Sequence, residues 1–184
     1  MLLKTHDIFT AGVLSLVGSL FIKNPAFDIS VAIVLSLVGN HVIDIYGHET
    51  GKDGIPERTY HTHSKLRATI YGFIPAVIVY VFFQHLRHIN GNNLPVPQSL
   101  TFILIQGLLV GPSHLFLDSL TEGGVFVKRN GSWQRQSIAN FKYDNLFVNL
   151  TASLTGILCF VPFLPKNLFS NRLFYLLILI KHII

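Results

Sequence analysis

Leu100-Thr-Phe-Ile-Leu-Ile-Gln106-Gly-Leu-Leu-Val-Gly111-Pro112-Ser-His114-Leu-Phe-Leu-Asp118-Ser-Leu120 contains no lysine or arginine. It is long enough to cross a bilayer, for which a helix needs about 20 mainly apolar residues. Its ionisable side chains lie in the second half, with His114 and Asp118 at i, i+4 on one helix face. Ionisable groups at membrane depth are costly and mark functional positions. The stretch therefore predicts a transmembrane helix with chemistry concentrated at one end.

Working outward, comparable apolar runs occur at residues 8–22, 29–45, 66–83 and 146–164, with Lys23-Asn24-Pro25 breaking the first pair and Pro75 expected to kink the third span. Gly111-Pro112 is expected to loosen the fourth helix ahead of His114. The segment 173–180 is too short to cross alone, and 169–184 could cross only if tilted or packed against neighbours. The first run lacks a small-x-small cleavage signal before Lys23, so it reads as a retained helix. Asn130-Gly131 between alternating strand formers predicts a β-hairpin with a type I′ turn. The fold expected is an all-α membrane protein, one domain over residues 1–184, with five to six transmembrane helices and a small cytoplasmic β-hairpin between helices four and five.

The whole composition agrees. Half of the 184 residues are hydrophobic and 12% are charged, and mean hydropathy is +0.50. This excludes a disordered tail, a collagen-like chain and most water-soluble enzymes. The net charge of +5 is spread too thinly for a nucleic-acid surface. Cys159 is the sole cysteine, which excludes an intrachain disulfide and a thiolate metal site. With alternating spans, nine Lys and Arg fall on the side of the N-terminus and five on the other if the tail does not cross. The positive-inside rule then puts the N-terminus and the two large loops in the cytoplasm, in a multi-pass inner-membrane protein.

On that side four polar clusters collect: His6; Asn40-His41 with Asp44, His48 and Glu49; Arg58-Thr59 with His61 and His63; and His114 with Asp118. Neutral imidazole and carboxylate suit Zn²⁺, Mn²⁺ or Fe²⁺, and ligands from several helices can build one site. Against this stands a metal-free polar bundle end, with Asp44 and Asp118 in structural ion pairs to Arg58 or Arg67 and His61 merely at the surface.

Thr62-His63-Ser64 after an arginine, and Ser113-His114-Leu-x-Leu-Asp118-x-x-Thr121 followed by Gly-Val, resemble the bacterial LexA-binding, inner-membrane-associated metal-dependent hydrolases. More similar still is an uncharacterised archaeal integral-membrane family, through Asn40-His-Val-Ile-Asp44-x-x-Gly47-His48-Glu49, Arg58-Thr59, Thr121-Glu122, Asn130-Gly-x-Trp133 and Tyr143-Asp144-Asn145. The resemblance runs from His6 to about Asn149 and implies a metal site at His6, Asp44, His63, His114 and Asp118. The chain departs from the bacterial pattern where Asn40-His41 and a single Asp44 replace Pro-Asp-x-Asp, and where Arg58 replaces a histidine.

The function expected is a membrane-embedded, metal-dependent hydrolase, most simply zinc-dependent, cutting an ester or phosphoester of a lipid or other membrane-proximal substrate. Glu49 or His48 would act as general base and Arg58 would hold a developing anionic oxygen. The alternative is a non-catalytic membrane protein whose His/Asp cluster is structural or binds a partner. A transporter ranks last, because the polar residues collect at one side. Sequence assigns no oligomeric state.

Overall fold

A computed structural model describes residues 1–50, 56–90 and 100–163. The described chain is mostly helical: α1 Leu3–Gly18, α2 Pro25–Gly47, α3 Lys65–Asn90, α4 Thr101–Ser119 and α5 Leu146–Leu158, the last followed by a 3₁₀ turn at Val161–Phe163. Two antiparallel hairpins complete it, β1 His48–Thr50 with β2 Pro56–Arg58, and β3 Val125–Arg129 with β4 Ser132–Gln136. The segment 169–184 lies outside the described residues.

Pro25–Gly47, Lys65–Ile89, Thr101–Ser119 and Leu146–Phe163 are long and apolar enough to cross a membrane. The first helix differs from expectation. It begins five residues before residue 8 and ends at Gly18, placing His6 inside its first turn. The second starts at Pro25, whose missing N–H is harmless there, with the Asn24 side chain accepting from Phe27 N at 3.1 Å. Neither proline inside a span ends its helix: α3 runs on through Pro75 and α4 through Pro112.

Polar side chains are turned into the bundle beside an apolar core, while apolar side chains also cover its outside. Thr10, Ser15, Asp28, Ser36, Asn40 and Gln106 are buried, whereas Val34, Leu37, Ile78, Phe82 and Leu158 face outward. An outward apolar face and an inward polar one suit lipid as the surrounding medium. At the end far from His114, Gln106 Nε2 donates to Asp28 Oδ1 at 2.7 Å and to the Leu14 carbonyl at 3.0 Å, tying α4 to α2 and α1. A Cβ on Gly12 would collide with the Gly156 carbonyl, and one on Gly111 with the Ala68 backbone. These glycines let α1 meet α5, and α4 meet α3, at backbone contact.

The β3–β4 turn has Asn130 at φ 50° and Gly131 at φ 81°, both left-handed as a type I′ turn requires. This hairpin is fixed to the helix ends. Phe126 N donates to the His63 carbonyl at 2.8 Å, and Ile138 N donates to the Ser119 carbonyl at 2.7 Å. Tyr60 and Trp133 stack at 5.3 Å, with the Arg67 guanidinium 5.0 Å from the Tyr60 ring centre.

Gly12→Leu should lower stability by about 1–3 kcal/mol or more, because overpacking against Gly156 forces α1 and α5 apart. Leu158→Ala, on the outward face, should change it far less. Thermal unfolding in detergent checks the pair, and equal melting temperatures would refute the close helix contact.

Candidate metal centre

Four elements deliver the site to one end of the bundle. His6 comes from the first turn of α1, Asp44 from the last turn of α2, His63 from the segment before α3, and His114 and Asp118 from the last turns of α4. Gly47 leaves the room that His63 needs, since a Cβ there would strike Thr62 Oγ1 and the His63 ring. Ser36, Asn40, His63, His114 and Asp118 are all fully buried.

Hydrogen bonding places a proton on Nδ1 of both imidazoles. Asn40 Nδ2 donates to Asp7 Oδ1 at 3.1 Å and to Ser36 Oγ at 3.3 Å. Its Oδ1 therefore accepts from His114 Nδ1–H at 3.1 Å, which in the neutral ring leaves a lone pair on Nε2. The same reasoning holds for His63. Thr62 Oγ1 gives its proton to the Ile43 carbonyl at 2.6 Å and so accepts from His63 Nδ1–H at 3.1 Å. Burial pushes the His63 imidazole below its ordinary pKa, which favours the neutral, ligating form.

Both Nε2 atoms look onto carboxylates. His63 Nε2 lies 3.5 Å from Asp44 Oδ1 and 3.5 Å from Asp118 Oδ2. His114 Nε2 lies 3.4 Å from Asp44 Oδ1 and 3.2 Å from Asp118 Oδ2. His63 Nε2, His114 Nε2 and Asp118 Oδ2 are buried without a hydrogen-bond partner. With neutral rings, imidazole lone pairs thus face carboxylate oxygens in a largely buried setting, an arrangement that costs energy unless a cation or a proton sits among them. Two ligands on one tetrahedral Zn²⁺ at about 2.0–2.2 Å are separated by roughly 3.3–3.6 Å, which matches these spacings closely.

The other Asp118 oxygen is occupied. Oδ1 receives Arg58 Nη2 at 2.6 Å, with His6 Nε2 at 3.1 Å and the Met1 amino group at 3.3 Å. Arg58 Nη1 also donates to Thr121 Oγ1 at 3.0 Å. His6 stacks on His114 with ring centres 4.1 Å apart. Two ligand triads can be drawn, His6 with His114 and Asp118, and Asp44 with His48 and His63, each with ligand atoms within 4.8 Å of one another. The carboxylates of Asp44 and Asp118 join them into one cluster.

The general-base candidates separate. His48 Nδ1–H donates to the Asp44 carbonyl at 2.8 Å, and His48 lines a cavity of about 800 Å³ with Glu57, Arg58, Glu122, Arg135 and Tyr143. Glu49 is exposed on β1 and is not among the residues lining that cavity. The structure does not bring Glu49 to the cluster, and the carboxylates on the cavity are Glu57, which pairs with Glu49 across β1–β2, and Glu122. His41 is exposed with its Nδ1 2.8 Å from the Leu37 carbonyl, and His61 is likewise exposed and stacked on Tyr60. Asn40 and Asp7, which orient His114, were legible only as polar residues near helix ends.

Residues 1–117 match the DUF1286 family of proteins of unknown function, and the chain belongs to that family. The matched region includes His6, Asp44, His48, Arg58, His63 and His114 and stops one residue short of Asp118. No curated protein and no solved structure matches the chain.

Protein purified in detergent should hold a divalent metal, and His114→Ala should lose most of it. Asn40→Leu and Gly47→Ala remove no ligand but disturb His114 and His63, so each should weaken binding about 10–100-fold. Metal analysis after graded chelator treatment measures all three. Wild-type retention in both Asn40→Leu and Gly47→Ala would break the assignment of those supports.

Proposed function

We propose that this DUF1286 protein is a membrane-embedded, metal-dependent hydrolase acting on an ester or phosphoester of a lipid or other membrane-proximal substrate. The observation that carries the proposal is the meeting of His63 Nε2, His114 Nε2 and Asp118 Oδ2, buried and without hydrogen-bond partners, beside Asp44 Oδ1. These four atoms are the ligands, and zinc is the metal that their chemistry suits best. His6 and Arg58 hold Asp118 through its other oxygen, while Asn40 and Thr62 hold the two imidazoles.

Such a metal supplies a Lewis acid and a bound water whose pKa is lowered toward neutrality. His48, with its Nδ1 proton engaged by the Asp44 carbonyl, keeps Nε2 free to take a proton from a nucleophile in the cavity. Arg58 borders both cluster and cavity and presents its remaining N–H groups to a developing anionic oxygen. The sequence resemblance to metal-dependent hydrolases favours hydrolysis among metal-assisted reactions. The nine-to-five distribution of Lys and Arg supports a cytoplasmic face for this end of the bundle.

A second reading has its own support. Arg58 already neutralises Asp118 at 2.6 Å, and a proton on His114 would serve both carboxylates. The cluster would then be a structural ion network in a non-catalytic protein.

Hydrolysis of a chromogenic ester or phosphoester should disappear on chelation and return with Zn²⁺. His48→Gln should keep the metal and lose about 10²–10⁴-fold in turnover. A wild-type protein that holds no metal, together with a large fall in melting temperature for His114→Ala, would select the structural reading. Orientation has a separate check. In a Cys159→Ala background, Asn130→Cys should resist an impermeant thiol reagent added from outside intact cells, and rapid labelling would reverse the assigned sidedness.

A further inference from the structure

We propose that the cavity under the β3–β4 hairpin binds the phosphate group of a membrane lipid through Arg58 and Arg135. This inference rests on the reading of the adjacent cluster as a hydrolytic centre, and it adds the substrate class and a specificity-determining residue.

Two consecutive glycines bring the arginines to one wall. A Cβ on Gly123 would collide with Arg58 Nη1. One on Gly124, held at φ +58°, would come within 3.3 Å of Arg135 Cγ. Arg58 therefore lies along Gly123 and Arg135 along Gly124, and both line the cavity. Each is also in register with the metal centre. Arg58 pairs with His48 across β1–β2. Arg135 pairs with Phe126 across β3–β4, and Phe126 N donates to the carbonyl of His63 at 2.8 Å.

A planar guanidinium offers paired donors that fit phosphate oxygens. Arg58 spends three donors on Asp118, Thr121 and the Gly124 carbonyl, and its other N–H groups have no partner among the described residues. Among the described residues Arg135 has no ion pair to Glu57 or Glu122, although all three line the same cavity. Two arginines on one wall, Arg58 of them bonded to Asp118, fit an anionic oxygen cluster better than a neutral ester.

The lip of the cavity identifies the source of the phosphate. Tyr143 lines the cavity and is largely exposed. It leads into Leu146 and Phe147 at the start of α5, 81% and 77% exposed, with Ile138 at 71% on the preceding connection. Exposed apolar side chains at the end of a membrane-length helix form a surface for acyl chains. A lipid lying there carries its phosphate at the headgroup level, beside Arg58 and Arg135.

The test uses the full chain in dodecyl maltoside, which contains no phosphate. Binding of dihexanoyl phosphatidic acid is followed by ³¹P line broadening, against inorganic phosphate and dihexanoylglycerol. The wild type should bind the phosphatidic acid more tightly than either comparator. Arg135→Gln should weaken that binding about ten- to a hundredfold, with metal content and melting temperature unchanged. Arg135→Lys should recover part of it, and Lys128→Gln, on the exposed part of β3, should have no effect. Wild-type binding by Arg135→Gln would overturn the proposal, and equal affinity for inorganic phosphate would overturn the lipid source. Arg135-dependent binding in a protein that neither holds metal nor hydrolyses would sink the hydrolase reading alone. Metal-dependent turnover indifferent to Arg135→Gln would sink the phosphate site alone.

Discussion

The Nε2 atoms of His63, before α3, and of His114, in α4, lie 3.2–3.5 Å from carboxylate oxygens of Asp44, in α2, and Asp118, in α4, at the end of a helix bundle. In a low-dielectric interior such an arrangement repels unless a positive charge occupies its centre. Much of the architecture serves to hold it. Gly47 admits His63, Asn40 and Thr62 set the imidazole tautomers, and Arg58, His6 and the Met1 amino group saturate the outer oxygen of Asp118. The β3–β4 hairpin is attached to the same point through the His63 carbonyl. Cluster, cavity and cap form one construction.

Placing that construction at a helix end rather than mid-bundle has a physical basis. Outward faces of α2, α3 and α5 are apolar, as lipid contact demands, so ionisable groups must turn inward. Site residues from the ends of α1, α2 and α4 can then be joined by loop residues that a buried mid-helix position could not supply. Arg58, His63 and Arg135 all come from such non-helical segments. Close glycine contacts at Gly12–Gly156 and Gly111–Ala68 hold the helix ends in place without large side chains. Rigid helices thus position the ligands, and the hairpins above them shape the cavity.

Much of this was legible in the sequence because local periodicity controls it. His114 and Asp118 share a face by i, i+4 spacing, Asn130-Gly131 specifies its turn, and four apolar runs correspond to span-length helices. What depends on tertiary pairing was not legible. The β1–β2 hairpin carries no periodic signal, so its register, His48 opposite Arg58, appears only in three dimensions. Nor does any local pattern signal that Glu57 and Glu122, rather than Glu49, line the cavity. Gly111-Pro112 reads locally as a helix weakness, yet α4 continues through it and Gly111 serves as a contact point for α3. Arg135 stands far from Arg58 in sequence, and nothing local links them.

X-ray absorption at the zinc edge of the zinc-loaded, detergent-purified chain tests the central claim most directly. The account predicts a first coordination sphere of nitrogen and oxygen at about 2.0–2.2 Å, with the outer scattering that imidazole rings produce and no sulfur. The outer scattering should diminish in His114→Ala. A spectrum of zinc surrounded by oxygen alone, without imidazole scattering, would contradict the claim that His63 and His114 converge on a metal.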